Sequence, residues 1–152
     1  MKAEGDIRRA VRKLLASQPL AVLCSADGDQ PYASLVAYAY SPDLKSLLFA
    51  TGRFTRKYEN LCDNRKAALL VDTRTNRPVD FAEAAAVTAV GEVKEVSERG
   101  REAFLKRYLK RHPSLADFVR APSTALFRLR VKDYVLVRTF QKVDILTLTS
   151  RK

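Results

Sequence analysis

Apolar residues first recur at helical spacing. Ile7, Val11, Leu14 and Leu15 share one stripe of residues 4–16, with Arg8, Arg9, Arg12 and Lys13 opposite. Pro19 ends that pattern, and the period then shortens. Residues 20–25 and 32–40 read as strands joined through Asp27-Gly28-Asp29-Gln30, where the Asp-Gly pair signals a hairpin. Ser41-Pro42-Asp43 makes a second turn and residues 46–51 a third strand. Helical spacing returns in Phe54, Tyr58, Leu61 and Cys62, predicting a helix over 54–64 with Thr55 or a neighbour as its cap.

Residues 67–72 predict a fourth strand, 73–80 a polar loop, and 84–96 a long strand. Gly91 interrupts that last strand, which implies a bulge or a close backbone approach. A second amphipathic helix spans 97–112, with Phe104, Leu105, Tyr108 and Leu109 inward, and a short helix follows over 113–119. Two further strands, 125–131 and 134–140, flank Lys132-Asp133, read as a tight connection. About six strands joined by short antiparallel connections, with three helices, predict a mainly β fold. The expected architecture is a six-stranded antiparallel Greek-key barrel with helices at its rim, in one domain over residues 1–152.

Composition narrows the function classes. The chain has 152 residues, of which 47% are hydrophobic and 30% charged, enough apolar material for a core. No apolar run approaches the roughly 20 residues of a membrane span, and the first fifteen residues carry no signal-peptide pattern, so a cytoplasmic, non-membrane protein is expected. Two cysteines, Cys24 and Cys62, are too few for a disulfide scaffold and are expected as buried free thiols. One histidine and two cysteines form no metal cluster. The net charge is +11, but unevenly placed: residues 1–96 hold 14 basic and 12 acidic side chains, the remainder 14 and 5. A basic nucleic-acid-binding module is therefore one reading, although aromatic–basic interleaving and helix-turn-helix signatures are absent.

The richest chemistry lies between Leu47 and Asn60, where an apolar strand ends in Ala50-Thr51-Gly52 and a helix begins carrying Arg53, Thr55, Arg56 and Lys57. A strand end feeding a helix start offers free amide groups and the positive end of the helix dipole. Hydroxyls and cations there suit a phosphate. Cations in a first helical turn oppose the dipole, so an anion is expected to compensate them. The competing reading is a pair of solvated basic side chains. His112 stands before Pro113 at a helix junction, either as a cap or surface residue or as an axial ligand or proton donor. Tyr38 is expected in packing, with a ligand-facing role as the alternative. Lys106-Arg107 and Lys110-Arg111 read as an exposed helix face.

Taken in order, several short strings resemble the pyridoxamine 5′-phosphate oxidase-like FMN-binding split-barrel family. They are Ala21-Val22-Leu23-Cys24-Ser25, Asp27-Gly28-Asp29-Gln30-Pro31-Tyr32, Leu48-Phe49-Ala50-Thr51, Thr55-Arg56-Lys57, Asn64-Arg65 and Val90-Gly91-Glu92-Val93. The stretch from Arg107-Tyr108-Leu109 through His112-Pro113 to Phe140-Gln141-Lys142-Val143 is similar to the branch that includes haem-utilisation flavoproteins. The resemblance implies a homodimer with FMN at the subunit interface and an oxidoreductase acting on a small-molecule substrate. A deazaflavin or haem is the alternative occupant. It implies a phosphate clamp at Thr55, Arg56 and Lys57, a strand-end contact at Thr51, and partly backbone contacts at Ser34, Leu35 and Val36. The family's oxidases carry a basic residue where Ser34 stands, another near Ala39, and a Gln that aligns with Ala86; those groups are absent here.

Overall fold

The structure is a computed structural model and describes residues 3–139 and 141–148. Helix α1 (Glu4–Ser17) turns its predicted stripe inward, burying Ile7, Val11, Leu14 and Leu15. Seven strands follow: β1 (Leu20–Asp27), β2 (Gln30–Tyr40), β3 (Ser46–Gly52), β4 (Lys66–Asp72), β5 (Ala86–Glu95), β6 (Thr124–Arg138) and β7 (Lys142–Thr147). The sheet order is β3-β2-β1-β4-β5-β6-β7, and β3 also pairs with β6. That extra ladder closes six strands into an antiparallel barrel and leaves β7 on the outer edge. Strand β4 returns beside β1 after the β1–β2–β3 meander, which is the Greek-key step.

Alternation within each strand sends one set of side chains into the barrel. Leu23, Tyr38, Phe49, Leu69, Val87, Phe127 and Leu136 meet there, with α1 packed against them. Leu48, Ala50 and Leu126 point outward from β3 and β6 and are covered by Leu105 and Tyr108 of α4 (Arg101–Arg111) and Val119 of α5 (Ala116–Arg120). The hairpin between β1 and β2 turns at Gly28, whose φ of 62° suits glycine.

The C-terminal third corrects one expectation. Residues 125–131 and 134–138 form one continuous strand, with no turn at Lys132-Asp133. Val90 pairs with Asp133 while Gly91 pairs with Val131, so Lys132 is the extra residue of a β-bulge. The inward set shifts from Phe127, Leu129 and Val131 to Tyr134 and Leu136, a step of three that resembles a turn in the sequence. Gly91 is required here, since a Cβ on it would lie 2.0 Å from the Arg130 carbonyl oxygen. Phe140, the expected end of that strand, lies outside the described residues.

Strand β7 was not anticipated by the sequence reading; it buries Leu146 in the core, while Val143 and Ile145 face outward. A short helix, α3 (Asp80–Glu83), occupies the end of the expected polar loop. Among the described residues no helix is long and apolar enough to cross a membrane.

Candidate functional site

The helix after β3, α2 (Arg56–Asp63), starts two residues later than its apolar spacing suggests. Phe54 therefore falls in the preceding turn and is 92% exposed. Thr55 is the N-cap: its Oγ1 accepts from the Tyr58 amide at 3.2 Å and donates to the Gly52 carbonyl at 2.8 Å. The Thr51 hydroxyl lies 3.0 Å from the same oxygen. Thr51 itself is buried at the end of β3. A strand end and a helix start are thus tied through two hydroxyls, and the amides of Arg56 and Lys57 remain without intrahelical acceptors.

The two cations of the triplet differ. Arg56 Nη1 is 2.6 Å from Asp27 Oδ2, so a carboxylate of the same chain supplies its counter-ion. Lys57 is half-buried and has no acidic partner among the described residues. The expectation that an anion compensates this helix start is met internally for Arg56 and left open for Lys57.

Strand β2 flanks this corner from the other side. Its ladder with β3 runs only from Tyr40↔Leu47 to Tyr38↔Phe49. Continued in register, Val36 would stand opposite Thr51, but the strands part first. Ser34, Leu35 and Val36 therefore keep their pairing to β1 while the edge toward β3 is unzipped. Val36 is buried in the core and can offer only its backbone there, whereas Leu35 is 63% exposed on the outer face. Ser34 Oγ is buried without a hydrogen-bond partner. Ser34, Leu35 and Val36 thus lie on the β2 side of the split and Thr51 on its β3 side, while Thr55, Arg56 and Lys57 follow at the start of α2, which packs on β1 and β3.

A brace that sequence spacing gave no sign of holds this corner. Arg53 Nη1 lies 2.9 Å from Glu95 Oε1, its Nε donates to the Pro122 carbonyl at 3.1 Å, and its amide donates to the Ser123 carbonyl at 2.8 Å. The Glu95 hydrogen bond raises the Arg53 pKa. Tyr58 joins the cluster, its hydroxyl 3.4 Å from both Arg53 and Glu95. Contacts separated by 42 and 69 residues leave no local signal.

The remaining candidates resolve into structural roles. His112 caps α4, and its Nε2 lies 2.6 Å from the Tyr38 carbonyl, which makes that nitrogen a donor and removes it as a ligand atom in this arrangement. Tyr38 is fully buried, and its hydroxyl donates to the Leu15 carbonyl at 2.6 Å. Burial pushes its pKa up to about 12, against a smaller opposing effect of the Arg111 cation.

Arg111 is not the solvated cation expected. It donates to the carbonyls of Leu15 and Gln18, and its guanidinium carbon stands 4.6 Å from the Tyr38 ring centroid. Arg101, Arg128 and Arg138 likewise find acceptors within the chain, so part of the basic excess of the last third is structural. Cys62 is exposed and Cys24 half-buried, contrary to the expected pair of core thiols. The inward face of α2 carries Asn60 and Leu61 instead, with Asn60 Nδ2 donating to Ser25 Oγ at 3.2 Å.

A further groove lies elsewhere. A cavity of about 740 Å³ opens on the outer face of β1, β4, β5 and β6, and none of the seven expected residues lines it.

Comparison with known proteins agrees with this fold. The family profile described as pyridoxamine 5′-phosphate oxidase matches residues 7–138. Among solved structures, a haem-binding protein from Mycobacterium smegmatis is 17% identical with a TM-score of 0.82; the match covers 97% of this chain and 59% of that one. An FAD-binding protein from Mesorhizobium loti is 18% identical with a TM-score of 0.68, covering 84% and 91% of the two chains. A Clostridium acetobutylicum protein related to general stress protein 26 of B. subtilis, described as of the pyridoxinephosphate oxidase family, is 16% identical with a TM-score of 0.73 over 97% of each chain. No curated protein sequence matches the chain.

Proposed function

The chain belongs to the pyridoxamine 5′-phosphate oxidase family, and on that premise we propose that it is an FMN-binding flavoprotein, an oxidoreductase acting on a small molecule. The observation that carries the reading is the split between β2 and β3, with an uncompensated lysine at the helix start beside it. Lys57 and the amides of Arg56 and Lys57 hold the phosphate. The Thr51–Thr55 hydroxyl pair fixes the angle between strand end and helix, so those amides point at one place. The unzipped edge of β2 at Ser34, Leu35 and Val36 presents backbone groups to the polar edge of the ring, and the orphaned Ser34 hydroxyl gains a partner.

A bound flavin supplies reversible hydride and electron transfer. This chain's residues supply orientation and charge. Without the family's basic residues at Ser34 and near Ala39, phosphate neutralisation falls mainly on Lys57, with Arg56 available when it leaves Asp27. No side chain at the split has the character of a general base, so proton exchange is assigned to substrate or water.

The proposal includes a homodimer. One outward row crosses six strands through Leu35, Val22, Leu70, Thr88, Val135 and Ile145. A sheet facing water on one side normally alternates apolar and polar residues, yet this outer row is apolar but for one threonine. A second copy of the chain covering it explains both the pattern and the 63% and 58% exposures of Leu35 and Ile145 in the single chain.

The test is the visible spectrum of the purified protein with an FMN titration. Flavin bands and saturable quenching of FMN fluorescence are expected, weakened by Lys57→Ala. A colourless protein without affinity for FMN would overturn the reading. A Soret band on haem addition in that same protein would favour the haem alternative, and its survival in His112→Ala would exclude that histidine as ligand.

A further inference from the structure

We infer that Arg53 is a positioning residue for the phosphate end of the site: held by Glu95 and Tyr58, it fixes the turn that aims Lys57 and the first amides of α2. The inference rests on the flavin reading and concerns how that site tells a phosphorylated flavin from an unphosphorylated one.

Glu95 owes its place to strand register. It stands directly opposite Phe127, a core residue, so it lies on the inward face of β5 at the last rung of the β5–β6 ladder. A half-buried carboxylate at the mouth of an apolar barrel needs a counter-ion, and Arg53 supplies it at 2.9 Å. The Tyr58 hydroxyl accepts from Arg53 Nη1 and donates to Glu95 Oε1, both at 3.4 Å. Its ring packs edge-on against Phe127, with centroids 5.9 Å apart. The Tyr58 amide donates in turn to Thr55 Oγ1, so one residue joins the ion pair to the cap of α2.

Arg53 acts from the far side of β3. That strand pairs with β2 along one edge and with β6 along the other. The side chain and amide of Arg53 both turn toward β6, donating to the carbonyls of Pro122 and Ser123 just before that strand begins. Its charge is met by Glu95 and its reach is away from the split, so its influence on a ligand there passes through the chain. What it fixes is the link from Gly52 to Thr55, and with it the direction of the first turn of α2. A guanidinium suits this role because its fork reaches a carboxylate and a carbonyl at once, which a lysine ammonium does not.

FMN and riboflavin differ by the phosphate alone, so the ratio of their affinities separates that end of the site from the ring and from overall stability. The purified protein is titrated with each, following quenching of flavin fluorescence. The wild type should prefer FMN. Arg53→Ala should reduce that preference roughly ten-fold, through weaker FMN binding with riboflavin affinity unchanged. Glu95→Gln, which keeps the shape and loosens the ion pair, should reduce it in the same direction, and Arg53→Lys should recover part of the loss. Thermal unfolding without flavin establishes that each variant is folded; if Arg53→Ala is not, Glu95→Gln and Arg53→Lys decide the matter. An unchanged ratio in the folded variants or an equal loss of both flavins, as a merely structural role gives, would overturn the inference. So would a raised preference for FMN in Glu95→Gln, as simple repulsion of the phosphate by Glu95 gives. Each of these leaves the flavin reading in place. A wild-type protein that binds neither flavin overturns that reading, and this inference with it.

Discussion

Arg56 donates from the start of α2 to Asp27 at the end of β1 at 2.6 Å, so the two cations at the start of α2 are not equivalent. The first is already neutralised when no ligand is present, and the second is not. Lys57→Ala should therefore weaken FMN binding roughly ten- to a hundred-fold, the worth of one charge-assisted contact, as read by fluorescence quenching.

Removing the internal counter-ion should act in the opposite sense. Asp27→Asn frees Arg56 and should tighten FMN binding several-fold. Both partners are more than half exposed, so the change in unfolding free energy should stay within about 1 kcal/mol. Unchanged or weaker affinity in Asp27→Asn would show that Arg56 takes no part in holding the phosphate.

Thr55 couples stability to the site. Its replacement by alanine removes the cap of α2 and the partner of Thr51, at an expected cost of about 1 kcal/mol by urea denaturation. Thr55→Ser retains the oxygen and should recover most of that loss.

Gly91→Ala places a methyl group 2.0 Å from the Arg130 carbonyl oxygen, and that neighbour is backbone paired into the sheet. Destabilisation of about 3 kcal/mol or more, or failure to accumulate as folded protein, is expected. Circular dichroism and thermal unfolding decide it.

Alkaline pH tests the Tyr38 contact. Its folded pKa of about 12 lies above the ordinary value of 10.0, so the neutral hydroxyl is the form the fold prefers. The corresponding stability is complete below pH 10, falls as the unfolded chain begins to ionise, and is lost as pH rises through about 12. Tyr38→Phe should be less stable at neutral pH, having lost the bond to Leu15, and should show a shallower decline over that window. Buried Tyr108 and Tyr134, both raised by burial, preserve part of the slope.

Periodicity made the barrel readable, because each of its strands buries alternate residues against one core. It failed where two periods meet. The step of three between Val131 and Tyr134 is a bulge rather than a turn, and only the partner strand distinguishes them. It failed again at Phe54, which is apolar, correctly spaced and yet outside the helix, because Thr55 caps at the next position.

At the site, Thr51, Thr55, Arg56 and Lys57 were legible from local order, since a strand end leading into a capped helix is a local event. The unzipping of β2 from β3, the neutralisation of Arg56 by Asp27 and the Arg53–Glu95 brace depend on residues brought together by the barrel. No local pattern encodes them.

The long strand β6 has a consequence for how the chain reaches this state. Ser46 pairs with Arg130 and Gly52 with Thr124, so closure waits for the last third of the chain to be synthesised. Until then a nascent chain holding β1 to β5 presents two unpaired edges, on β3 and β5, each able to template association with another strand. The ladder that completes the barrel is among its most distant in sequence, which places this chain among slow, high-contact-order folders. A ribosome-bound chain ending before residue 124 should accordingly remain protease-sensitive, while one extended well beyond residue 138 should become resistant.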